Sequence, residues 1–68
     1  MEKAYVLIET QVGKTKDVVE AIRGVEGVLS VDAVTGPYDA IAVVEVEDFT
    51  EMGNIVTAKI AHIPDVGR

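Results

Sequence analysis

Cysteine and tryptophan are absent from these 68 residues, and one phenylalanine and two tyrosines bring aromatic side chains to only 4%. Without cysteine there is neither a disulfide framework nor a thiolate metal site, so the usual covalent and metal staples of small domains are excluded. Positive charge is scarce: six Lys and Arg stand against twelve Asp and Glu, for a net charge of −6. That balance opposes approach to a polyanion, and Lys3, Lys14, Lys16, Arg23, Lys59 and Arg68 are scattered along the chain. Nothing in this pattern supports direct binding of DNA or RNA. Long apolar runs are missing as well. Ala40-Ile41-Ala42-Val43-Val44 is far short of the ~20 residues a membrane span needs, and no secretory signal pattern opens the chain. A cytoplasmic protein that touches neither membrane nor nucleic acid is the expectation.

What is present is a single domain, residues 1–68. Domains of this size bury only about 60% of the surface their unfolded chains expose, so a further source of burial is expected. With the covalent staples excluded, oligomerisation is the remaining candidate.

Residues 4–10 are β-branched and aromatic and predict a first strand. Thr15 is the expected N-cap of a first helix, with Asp17 in its opening turn and Val18, Val19, Ile22 and Val25 on its buried side, running to about Arg23. Gly24 stands where a C-cap glycine is wanted. A second strand over about 28–35 is expected to place Leu29, Val31 and Ala33 on one face and Val28, Ser30, Asp32 and Val34 on the other. The third strand covers about 40–47. Asp48 is then the expected N-cap of a second helix that runs to about His62, with Met52, Ile55, Val56, Ile60 and Ile63 in one stripe and Pro64 as its stop. The tail from Asp65 is too short to be expected as a strand. The order β-α-β-β-α is the split βαβ, ferredoxin-like arrangement without its final strand.

Between the second and third strands, Val34-Thr35-Gly36-Pro37-Tyr38-Asp39 reads as a hairpin turn. Gly36 admits a positive φ, Pro37 presets its own, and Asp39 is expected to cap the loose amides of the turn. The strands beside it alternate poorly. Val6 and Ile8 oppose Tyr5 and Leu7 in the first, while Ala42, Val44 and Val46 oppose Ile41 and Val43 in the third. Both helices fit on one face under the right-handed crossover rule, so the other apolar face needs another cover, and a second copy of the same sheet provides it.

No catalytic constellation is visible. His62 is the only histidine, and at a helix end it complements the helix dipole; no further ligands converge at metal-binding spacing, so no metal or cofactor is expected. Glu45, Glu47 and Asp48 read as a solvated strand end. Asn54 on the second helix and Tyr38 in the turn carry the polar atoms best placed to meet a ligand.

Three segments, Gly27-Val28-Leu29-Ser30-Val31, Val34-Thr35-Gly36-Pro37-Tyr38-Asp39 and Ile63-Pro64-Asp65-Val66-Gly67-Arg68, resemble in order and spacing the effector-binding (RAM) domain of the Lrp/AsnC, or feast/famine, transcriptional regulators. The T-G-x-Y-D turn is the most specific of them, and the resemblance covers essentially the whole sequence. It departs from the family in opening directly with a strand instead of a helix-turn-helix domain, in Asp65 where glycine is usual, and in stopping at Arg68 before the final strand. The resemblance implies a βαββαβ sandwich of the dimeric α/β barrel type, with sheets paired face to face and dimers joined into larger assemblies. It further implies a small amino acid effector bound near the turn. Carried over position by position, Gly36, Pro37, Tyr38 and Asp39 match the turn motif, and Asn54 is expected to approach the same cleft. The resulting expectation is a non-enzymatic, amino-acid-responsive oligomerisation module, without catalytic residues or cofactor, whose partners are copies of itself and full-length relatives. Two alternatives stay open: a small dimeric α/β-barrel enzyme of monooxygenase or isomerase type built around His62, Tyr5 and Tyr38, and a purely structural assembly domain.

Overall fold

The structure is a computed structural model, and it describes residues 1–67. The chain runs β1 (Glu2–Ile8), α1 (Thr15–Arg23), β2 (Val28–Ala33), β3 (Ala40–Val46) and α2 (Phe49–Asn54), and a π-helical segment Ile55–Ile60 continues α2. The three strands form one antiparallel sheet in the order β1-β3-β2. This is the ferredoxin-like arrangement expected from the sequence, with the two helical elements laid on one face.

That face is the core. Along β3, Ala40, Ala42, Val44 and Val46 are all buried, and each meets a β1 partner on the same side: Ile8, Val6, Ala4 and Glu2 in register. Val18, Val19 and Ile22 from α1 and Ile55 and Ile60 from the second helical element close over them. The two alanines in the middle strand let the helices approach closely where a larger side chain would hold them off.

Four details differ from expectation, each for a local reason. Helix α1 has Lys14, not Thr15, at its cap position and no side-chain cap; the Thr15 hydroxyl is engaged instead with that of Thr10, 2.8 Å away. Gly24 does cap the C-terminus but in the right-handed conformation. The β2 register shifts between Val28 and Ser30, so Val28 opposes Val44 and Val31 opposes Ala42. That bulge inserts Leu29, puts Val28 and Val31 on the helix side, and leaves Leu29 57% exposed, the reverse of a strict alternation. The second helix is α-helical only to Asn54 and π-helical from Ile55 to Ile60, ending before Pro64. Ile55 and Ile60 are five residues apart and lie roughly 140° apart on an α-helix; wider i→i+5 turns bring both to the core. The Asp48 cap is as expected, its carboxylate accepting from the Glu51 amide at 2.8 Å.

The tail is also more ordered than its length suggested. Val66 forms an antiparallel bridge to Thr10 beyond the end of β1, flanked by the Gln11 amide donating to Asp65 O (2.9 Å) and the Gly67 amide donating to Glu9 O (2.6 Å). No described helix is long and apolar enough to cross a membrane.

Candidate functional site

The hairpin turn follows from its chemistry. Ala33 pairs with Ala40 to close the sheet, the Val34 amide donates to Asp39 O at 3.0 Å, and Gly36 takes φ +120°, a region L side chains rarely adopt. Gly36 and Pro37 are exposed at the tip and Tyr38 is 37% exposed. Asp39 reaches beyond the turn. Its carboxylate accepts from the Thr10 amide at 2.8 Å, and its own amide donates to Ile8 O at 2.9 Å. The turn is thereby fastened to the end of β1, because an aspartate facing a buried strand-end N–H makes a stronger, charge-assisted bond there than among solvated turn amides.

Tyr38 forms one wall of a cleft of about 450 Å3. Its other walls come from Val6–Glu9 of β1, Val56, Ile60 and Ala61 of the second helical element, and Val66 and Gly67 of the tail. The lining is mainly aliphatic. Asn54 stands elsewhere: it lines a second cleft of about 480 Å3 at the opposite end of the sheet, among Glu26, Glu45, Glu47, Glu51 and Lys59. Of the five residues expected to share a site, the structure thus brings Tyr38 alone to this cleft: Gly36, Pro37 and Asp39 are not among its lining, and Asn54 lines the other one. Thr10, Val56, Val66 and Gly67 are not among the site residues expected from sequence. The hint for the first was a threonine closing an apolar strand, which is 2% exposed.

On the far side of the sheet, Tyr5 (66% exposed), Leu7 (50%) and Leu29 lie open, with Ile41 and Val43 half-buried between them. Tyr5 faces Val43 and Leu7 faces Ile41 across the strands, so these four side chains form an apolar patch, flanked on the same face by Ser30, Asp32, Lys3 and Glu45. Leu7 belongs both to this face and to the rim of the Tyr38 cleft. Among the described residues no group of three or more His, Asp or Glu could hold a metal ion, and no buried side-chain nitrogen or oxygen lacks a hydrogen-bond partner.

Residues 3–68 match the family model described as the Lrp/AsnC ligand binding domain. Among solved structures, TTHA0845 from Thermus thermophilus superposes with a TM-score of 0.93 at 37% identity, covering 100% of this chain and 85% of that one. The crystal structure of FFRP-DM1 gives a TM-score of 0.92 at 29% identity, covering 100% of this chain and 91% of that one. A hypothetical protein from Pyrococcus horikoshii, PHS023, gives 0.91 at 29% identity, covering 100% and 82% respectively. No curated protein matches the chain significantly. With the family model spanning nearly its whole length and the same fold in each of these neighbours, the chain belongs to the Lrp/AsnC ligand-binding domain family.

Proposed function

We propose that this domain is a non-enzymatic oligomerisation module of the cytoplasm that responds to a small amino acid and tunes full-length Lrp/AsnC-type regulators by co-assembly. The observation that carries this reading is the uncovered apolar sheet face ending beside the Gly36–Asp39 turn. Tyr5, Leu7, Ile41 and Val43 form the apolar centre of this face, with Lys3, Glu45, Ser30 and Asp32 beside them on the same side, and an apolar patch rimmed by polar residues marks an interaction site. A second copy presents the same surface about a two-fold axis, and the pairing removes both from water.

The effector is read at the Tyr38 cleft. Its aliphatic walls suit an apolar side chain, and Tyr38, which lines it, carries a hydroxyl that can donate to the α-carboxylate. Asn54, in the other cleft, is left out of this site. The test is light scattering coupled to size exclusion, with and without each of the twenty standard amino acids. A dimer or larger assembly whose mass shifts with one amino acid agrees with the proposal; a monomer indifferent to all of them refutes it.

A further inference from the structure

The sheet has two outer strands, β1 and β2, and the molecule treats their edges differently. An exposed strand edge is a template for another strand unless something blunts it. At β2 two features do so: the ladder is broken by the bulge between Val28 and Ser30, and the Arg23 guanidinium donates to Val31 O at 3.4 Å. β1 has neither device, and its register with β3 is unbroken from Glu2 to Ile8. The Asp39 amide donates to Ile8 O on the β3 side, while the Gly67 amide donates to Glu9 O on the other. Backbone polar groups alternate sides along an antiparallel strand, so those of Leu7, Tyr5 and Lys3 point away from β3. Among the described residues no strand pairs with β1 on that side.

The first rung of such a pairing is already laid. Val66 bridges Thr10 in the antiparallel sense, which sets the direction and register of a strand continuing along the edge: its next bonded positions lie opposite Leu7, Tyr5 and Lys3. Beside them runs an aliphatic groove, with Val6 and Ile8 on one bank and Val56, Ile60 and Ala61 on the other. We propose that the β1 edge from Leu7 to Lys3 is an acceptor site for an extended segment of another polypeptide, which adds antiparallel as a fourth strand. Every second side chain of that segment enters the groove and is apolar; those between them extend the open face beside Tyr5 and Leu7. The net charge of −6 disfavours an acidic segment. The proposal does not rest on the effector reading, since backbone groups of β1 carry it and not the Tyr38 hydroxyl.

The probe is a six-residue peptide alternating threonine and valine, acetylated and amidated, followed by amide exchange in NMR. At a peptide concentration ten times its dissociation constant, exchange at Leu7, Tyr5 and Lys3 is expected to slow about tenfold. Valine side chains fill the groove, so the threonine amides are the ones that face β1. N-methylating the threonines is therefore expected to abolish the slowing, and N-methylating the valines to leave it. In the protein, Tyr5→Pro removes a donor that points away from β3, a place where an edge strand tolerates proline, and is expected to lose the slowing at Leu7 and Lys3. No slowing at peptide concentrations up to about 1 mM, or slowing that both methylated peptides reproduce, overturns the proposal. Protection of the same amides that grows with protein concentration and needs no peptide also overturns it, by giving the edge to a second copy.

Discussion

Gly27, at the entry to β2, is where a single methyl group does the most damage. Its φ is +96°, and a Cβ built on it lies 2.7 Å from Ile55 Cδ1, with Glu45 O at 3.8 Å. Its own carbonyl accepts from the Glu45 amide at 2.9 Å, so the backbone cannot swing away without breaking the sheet. Forcing an L side chain into this left-handed region costs about 1–2 kcal/mol. Ile55 is 4% exposed and wedged into the core, and displacing it adds overpacking of about 1–3 kcal/mol. Gly27→Ala is therefore expected to lose about 2–5 kcal/mol, against a total of about 3–10 kcal/mol for a domain of this size. Gly36 is the control, because its φ of +120° is as strained but no atom lies within 4 Å of the point a methyl group would occupy; Gly36→Ala bears the strain alone, about 1–2 kcal/mol. Urea unfolding at one fixed protein concentration measures both, since under the proposed pairing stability depends on concentration. The decisive variant is Gly27→Ala with Ile55→Val, which deletes the clashing Cδ1. Ile55→Val alone costs about 0.5–1.5 kcal/mol, yet the double variant is expected to be no less stable than Gly27→Ala. If the two losses simply add within about 0.5 kcal/mol, the Ile55 contact is not what Gly27 protects.

Asp48→Ala removes the acceptor for the Glu51 amide and is expected to cost about 0.5–2 kcal/mol, with Asp48→Ser recovering most of it in the same unfolding series. Gly53 sits inside α2 with open space where a methyl group would go; Gly53→Ala is expected to stabilise by about 0.5–1 kcal/mol, read as a rise of roughly 2–8 °C in thermal melting. A fall there would mean that the helix needs this glycine for its passage into the π segment. Val43→Glu places a charge on the middle strand of the open face, opposite Tyr5; under the proposed pairing it should yield monomer by light scattering while circular dichroism stays unchanged.

The element order, the Asp48 cap, the stripe on the second helix and the poor alternation of β1 and β3 were all legible, since each depends on residues near one another in sequence. What escaped depended on counting errors of one residue or on partners far away. The extra Leu29 in β2 is invisible to a period of two, because a bulge is recognised by what lies across the sheet. The five-residue interval from Ile55 to Ile60 was present in the stripe, but α-helical spacing absorbs it without comment; only burial of both ends exposes the wider turns. The bond from the Thr10 amide to Asp39 is not legible locally, because the two residues are 29 apart in sequence.

The place of Asn54 was in fact deducible. The hairpin turn sits at the start of β3, and α2 begins just after its other end, so seven residues at about 3.3 Å each put the helix start roughly 23 Å from the turn. Six helical residues rise only about 9 Å, which leaves Asn54 well short of Tyr38 whichever way the helix points. The residues of this element that line the Tyr38 cleft are those two to seven positions later, Val56, Ile60 and Ala61. The same geometry bears on the proposed response. Leu7 and Ile41 lie at the turn end of the open face, and Leu7 also rims the Tyr38 cleft, so an amino acid held there touches the edge of the surface that pairs. Binding and assembly that share a side chain are reciprocally linked: an effector that favours the paired state by tenfold must bind the paired state tenfold more tightly, about 1.4 kcal/mol. Leu7→Ala is therefore expected to weaken the coupling between effector and mass shift more than it weakens either equilibrium, whereas Leu29→Ala, which lies off the cleft, weakens assembly and leaves the coupling factor intact.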